Sequence, residues 1–239
     1  LFTSKILHTS SLTFEKNKVI EEQLWRTFVD HTVLTKPYDE IVVLHNNNLN
    51  AFVPSSLFDA NYLASYLQYN TKVFETDFFT FDTISPYEIN NIYVPFVNIN
   101  NFLLDQYESF EYKNSNSILV NKLLDLAKNN EEKQIFVHIQ KNTFELVIIK
   151  NQELLLFNSF NYTAPEDLIY FILFSCEQLQ LNPETISVKI LGNCLESDSN
   201  YKIIHKYIRN CSLLDVSTMK TALDETDKNI RNHFTLYHS

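Results

Sequence analysis

Gly192 is the only glycine among 239 residues. A chain so poor in glycine must build its turns from residues that carry a Cβ. It also cannot lay bare backbone against a phosphate. A Walker loop and a dinucleotide fingerprint each need spaced glycines, so neither can be drawn here. Asparagine is the natural substitute in turns, because its short polar side chain tolerates left-handed backbone. The Asn-rich stretch Asn46–Asn50 is accordingly expected to be a turn.

With 45% hydrophobic and 14% aromatic residues, the chain can bury one large core or two lobes of ordinary size. No run reaches the roughly 18–20 apolar residues of a membrane helix. The longest, Leu168–Cys176, fits a helix buried on most sides, so no membrane insertion is expected. Leu1–Phe14 lacks the pattern of a signal peptide. The sole methionine is Met219, from which the chain is expected to begin inside a longer product. Cys176, Cys194 and Cys211 form no CxxC and have no metal-ligand spacing. They read as reduced thiols of a cytoplasmic protein. A net charge of −10 with no basic stripe argues against a nucleic-acid partner.

Hydrophobic spacing predicts the elements. Lys18–Val29 reads as a helix with Val19, Leu24, Trp25, Phe28 and Val29 on one side. Glu40–His45 reads as a buried strand and Ala51–Pro54 as an extended one. Ser55 or Ser56 is expected to cap a helix carrying Leu57, Phe58, Tyr62, Leu63, Tyr66 and Leu67. Val73–Asp82 and Ile92–Val97 read as strands limited by Pro86 and Pro95. Ile99–Asp105 and Ser117–Ala127 read as helices, and the polar run Asn129–Lys133 as a boundary between lobes.

The clearest block follows. Gln134–Ile139, Thr143–Ile149 and Glu153–Phe160 are β-rich and joined by very short polar links, which predicts an antiparallel meander. Thr163 is expected to cap a helix that begins near Pro165 and stops before Asn182–Pro183. Ser187–Gly192 reads as a strand, Tyr201–Arg209 as a helix, Cys211–Val216 as a strand and Phe234–Tyr237 as an edge strand. The second half thus runs β-β-β-α-β-α-β, and the first half repeats a fainter version of it. A meander followed by alternating helix and strand is the order of an RNase-H-like lobe. The expected fold is α/β: two RNase-H-like lobes in an actin-like ATPase arrangement, with mixed sheets flanked by helices. Residues 1–130 would form the first lobe, with inserted strands at about 73–112, and 131–239 the second.

Leu154–Glu184 carries Asn158, Phe160 and Tyr162, then Glu166, Asp167 and Tyr170. With the strand ending at Gly192 and the Tyr201–Tyr207 helix, this segment resembles the signature of a bacterial family of unknown function, DUF3822. The resemblance is sharp between about Phe136 and Arg209. It implies an actin-like fold, similar in outline to pilus-assembly proteins of the PilM type, and an N-terminal strand before Leu1. It carries no biochemical activity with it.

Actin-like ATPases hold nucleotide between lobes, on hairpin turns that pair an Asp with a Gly. The corresponding turn here, His138 to Asn142, has neither, and Ile190 to Cys194 keeps one glycine where a pair is usual. The expected function is therefore that of a degenerate actin-like protein acting on an unidentified protein partner. The alternative is binding of ATP with Mg at a site lined by His138, Gln140, Asn142, Gly192 and Asn193. Nuclease chemistry needs clustered carboxylates. Glu145 and Glu153 are the only acids of the meander, and mid-strand Glu145 reads as a solvent-face residue. Lys141 reads as a solvated turn residue and His138 as a satisfied imidazole. Cys194, Asp198 and His205 are close in sequence, but such spacing arises readily by chance. Asn158 and Tyr162 read as architectural.

Overall fold

The strands of the first half are four or five residues long. The computed structural model describes residues 12–15, 18–69, 71–74, 76–219 and 226–239. Phe2–Phe14 reads in sequence as extended; most of it lies outside the described residues, and Leu12–Phe14 has no regular structure. Helix α1 (Ile20–Asp30) leads to strands β1 (Val42–His45) and β2 (Asn50–Pro54) and the short helix α2 (Leu63–Leu67). The hairpin β3 (Thr80–Ile84) and β4 (Ile89–Tyr93) follows, then helix α3 (Val97–Gln106), strand β5 (Glu111–Asn114) and helix α4 (Ser115–Leu126). β2, β4 and β3 form an antiparallel sheet in that order, and β1 pairs in parallel with β5.

Several expectations shift here. Only Leu24 and Phe28 of α1 are buried, against Phe102 of α3. Val19, Trp25 and Val29 are more than half exposed, because they lie on a neighbouring face of the helix. The helix expected from Ser55 is broken into two 3-10 turns before α2. Asp59 breaks it, its carboxylate accepting from the Asn61 amide at 2.9 Å. β3 and β4 sit closer to their turn than the sequence predicted. A 3-10 turn at Ser85–Tyr87 and left-handed Glu88 join them. β5, a polar strand, was not foreseen.

The second half follows its pattern closely. β6 (Lys133–Ile139), β7 (Thr143–Lys150) and β8 (Glu153–Asn161) are the meander. Helix α5 (Pro165–Gln178), strand β9 (Ser187–Gly192), helix α6 (Ser199–Tyr207) and strand β10 (Asn210–Leu213) complete a five-stranded sheet ordered β10-β9-β6-β7-β8. Ala164, not Thr163, occupies the cap position of α5. Asp167 reaches back instead, accepting from the backbone amides of Thr163 at 2.8 Å and Ala164 at 3.1 Å. These bonds hold its carboxyl below the usual range. Phe234–Tyr237 is not an edge strand but helix α8, after α7 (Asp227–Asn232). Phe234 and Tyr237 stand three apart on one helical face and are buried, which a β-rich composition conceals.

Alternation in the strands sends two sets of side chains to two cores. Ile135, Val137, Leu146 and Ile148 meet α5 and α6. Phe136, Val147 and Ile149 meet α4, α7 and α8, so this second core draws residues from both sides of residue 130. Left-handed backbone falls on Glu88, Asn129, Asn151, Gln152 and Gln180 besides Gly192. Asn151 and Gln152 form the two-residue β7–β8 link with φ of 42° and 69°, doing what glycine usually does in such hairpins. Asn46–Asn50 contains no left-handed residue. Its turn is held by Asn47, whose side chain accepts from the Leu49 amide at 3.0 Å. None of the described helices is long and apolar enough to cross a membrane.

Candidate functional site

The two-residue turn Lys141–Asn142 fixes the register of β6 on β7, and that register sets His138 opposite Glu145. Side chains of opposed residues share a face, so the two meet. His138 Nδ1 lies 2.8 Å from Glu145 Oε2, and both residues are buried, at 7% and 3% exposure. Glu145 is therefore not the solvent-face residue its mid-strand position implied. The imidazole satisfies it, as a buried carboxylate requires.

Gln140 extends the pair. Its Nε2 donates to both Glu145 oxygens, at 3.1 and 3.0 Å. Its Oε1 accepts from Asn46 Nδ2 at 2.8 Å, and Asn46 Oδ1 accepts from Ser115 Oγ at 3.0 Å. A continuous polar chain thus runs from the meander to the β1–β2 loop and the first turn of α4. Next to Asn46, His45 is buried with Nδ1 accepting from the Phe96 amide at 3.3 Å, which leaves Nε2–H to donate to Asn100 Oδ1 at 2.9 Å. Burial lowers its pKa, in keeping with a neutral ring.

Gly192 ends β9 beside this cluster with φ of 86°. A Cβ there would lie 2.2 Å from the Ile139 carbonyl oxygen and 2.9 Å from His138 Cδ2. The glycine is required by the packing of β9 on β6. Asn193 is exposed, its amide donating to that same Ile139 oxygen at 2.7 Å. Asn142 is exposed in the turn and accepts through its carbonyl from the Tyr162 amide at 3.0 Å. Of the five residues predicted for the inter-lobe site, His138, Gln140 and Gly192 gather at one end of β6 and β9. Asn142 and Asn193 flank them.

Lys141 is exposed. Cys194, Asp198 and His205 form no catalytic set. Asp198 accepts from the Leu195 amide at 2.8 Å, and His205 stacks on Tyr201 with ring centroids 5.7 Å apart. Burial, then Asp198, pushes the Cys194 thiol up to about 12. Tyr162 is architectural: its hydroxyl donates to the Gln140 carbonyl at 2.8 Å and accepts from Asn200 at 3.3 Å. Among the described residues, no three His, Cys, Asp or Glu side chains are grouped to hold a metal. The sequence reading missed Asn46, Ser115 and the burial of Glu145. The last was legible, since a two-residue turn at Lys141–Asn142 alone pairs positions 138 and 145.

Comparison with known proteins fits this architecture. A crystal structure from Bacteroides thetaiotaomicron, of a protein with actin-like ATPase fold and unknown function, superposes with a TM-score of 0.77 at 17% identity. The match covers 86% of this chain and 82% of that one. The PilM-PilN type IV pilus biogenesis complex matches with a TM-score of 0.55 at 9% identity, over 91% of this chain and 82% of that one. The fold is therefore that of the actin-like ATPases. No curated protein matches. The model of the family described as protein of unknown function (DUF3822) matches residues 3–211. The chain belongs to this DUF3822 family.

Proposed function

We propose that this protein works through protein contacts, as a scaffold or assembly factor of the cytoplasm, rather than by conventional ATP hydrolysis. The observation that carries this reading is the engagement of Gln140. At the turn where an actin-like site would hold phosphate, both ends of its amide are committed, to Asn46 and to Glu145. A Mg-bound triphosphate fits His138, Gln140, Asn142, Gly192 and Asn193 poorly. Glu145 stands behind them already bonded to His138 and Gln140, and the turn offers no acid for the metal's waters. Gly192 is already explained by the Ile139 carbonyl.

Two further observations favour a protein partner. Tyr170 and Phe174 of α5 are 62% and 48% exposed and stack on each other, and such aromatics suit interfaces. One of the similar structures is a complex between two proteins, PilM and PilN.

The test is thermal melting with and without millimolar Mg-ATP and Mg-ADP. A ligand at ~100 times its Kd adds about 2.7 kcal/mol, a shift of a few degrees. No shift is expected. A clear shift replaces this reading with the nucleotide-binding one.

A further inference from the structure

β8 is an edge strand of the five-stranded sheet and β2 an edge strand of the three-stranded sheet, among the described residues. The two edges face each other across a groove. Phe52 of β2 and Phe157 of β8 touch across it, with ring centroids 4.6 Å apart. On one side of that contact lies a cavity of about 200 Å³, and on the other a cavity of about 360 Å³. Both are lined by Phe52 and Leu154, so they lie end to end in one channel along β8, narrowed where the two rings touch.

An edge strand presents unpaired backbone donors and acceptors, and proteins commonly blunt such edges with lysine, proline or a bulge. β8 uses a bulge but neither lysine nor proline. Over nine residues its only charge is Glu153, at its start, and it contains no proline. A bulge at Leu155 interrupts its pairing opposite Ile148–Ile149, and Leu156–Asn161 pairs regularly. Ser159 lines the first cavity.

The ends of the channel differ in charge. The first cavity is lined by no charged residue. The second is lined by Glu88 and Glu153, both exposed, and by no cation.

From this geometry we infer that the channel between β8 and β2 binds an extended segment of a partner protein, which adds to β8 as a strand and sets a basic residue against Glu88 and Glu153. The added strand takes its affinity from ladder hydrogen bonds and its selectivity from alternate side chains, the mode of strand addition. The uncharged cavity takes an uncharged stretch, since a charge there would lose its water without gaining a partner. The acidic end sets the direction of the segment.

This inference rests on the proposal that the chain works through protein contacts, but the two fail differently. A nucleotide-dependent melting shift counts against the first, and the following experiment addresses the channel alone. Random twelve-residue peptides displayed on phage are selected against the intact chain, and the enriched peptides are synthesised. Amide hydrogen exchange is then followed with each peptide bound.

The expected result is slowed exchange across 154–159, Lys or Arg at one end of the enriched peptides, and loss of binding when alternate peptide amides are N-methylated. The E88K/E153K double variant, altered only at exposed side chains, is expected to weaken binding at least tenfold while melting like the parent. Failure to enrich any peptide overturns the inference, as does protection elsewhere. Equal binding by the charge-reversed variant also overturns it. So does protection of 154–159 that rises with protein concentration when no peptide is present, because a second copy would then be the occupant.

Discussion

Around the first turn of α4 the protein buries asparagine and serine about the half-buried Asp82, whereas the five-stranded sheet buries mainly aliphatic and aromatic side chains. In the polar region Asp82 Oδ2 accepts from the Asn114 amide at 2.8 Å and from Ser117 Oγ at 2.5 Å, and Tyr93 donates to Oδ1 at 3.1 Å. Asn91 donates to Ser117 at 2.9 Å, Asn50 to Asn91 at 3.1 Å and Asn116 to Asn50 at 3.1 Å. Asn50, Asn91, Asn114 and Asn116 are all buried. In the sheet, Ile135, Val137, Leu146 and Ile148 pack on α5 and α6 with no exposed surface. The difference is one of tolerance. An apolar core depends on volume and accepts another side chain of similar size. A hydrogen-bonded core depends on direction, and losing one member strands its partners. The His138–Glu145–Gln140 cluster is a polar island at the end of the apolar sheet, and it joins the two regions through Asn46.

The largest expected effect is at that junction. Gly192→Ala sets a Cβ against the Ile139 carbonyl at a φ of 86°. Backbone strain and overpacking together should cost about 4 kcal/mol, read as a drop in the urea midpoint. A loss below about 1 kcal/mol would mean that β9 shifts easily on β6. Next is Leu146→Ala, in a fully buried position, at about 3 kcal/mol by the same measurement.

Asp82→Ala probes the polar side. It leaves the Asn114 amide and the Ser117 and Tyr93 hydroxyls without their acceptor, and should cost about 2 kcal/mol. A double-mutant cycle with Ser117→Ala should show coupling of about 1 kcal/mol, whereas Leu146→Ala and Asp82→Ala should add. Additivity within the polar pair would break the contrast.

The smallest effect is on pH dependence. Burial lowers the pKa of His45 below that of the unfolded chain, so the unfolded state takes up the proton first as pH falls. The stability from neutral His45 is present above the unfolded pKa, near 6.5, and is lost progressively below it. Burial and then the Lys122 charge hold His238 at about 4, which acts in the same direction. Asp82 has the opposite sign. Burial raises its pKa, so its contribution is greatest at acid pH and is lost as pH rises through its folded value. Unfolding free energy measured from pH 7 to 5 should fall, and His45→Gln should make that fall shallower. An unchanged slope would place His45 outside the coupled set.

Much of the second half was legible in the sequence. Short links between β-rich runs gave the meander, and Pro165 with the acids after it marked the start of α5. Helical spacing showed α4 and α6. These features depend on neighbours within one or two turns, where backbone geometry dictates which side chains share a face. The shortage of glycine also foretold left-handed turns made by other residues, as Asn129, Asn151 and Gln152 show.

Only the tertiary structure decided which polar residues are buried. Asn116 meets Asn50 across 66 positions and Asn50 meets Asn91 across 41, and all three are buried. In sequence each of these residues reads as solvated, because a polar side chain is buried only when distant partners satisfy it. Periodicity carries the apolar faces of single elements. It holds no record of the hydrogen bonds between elements, which exist only once the chain has folded.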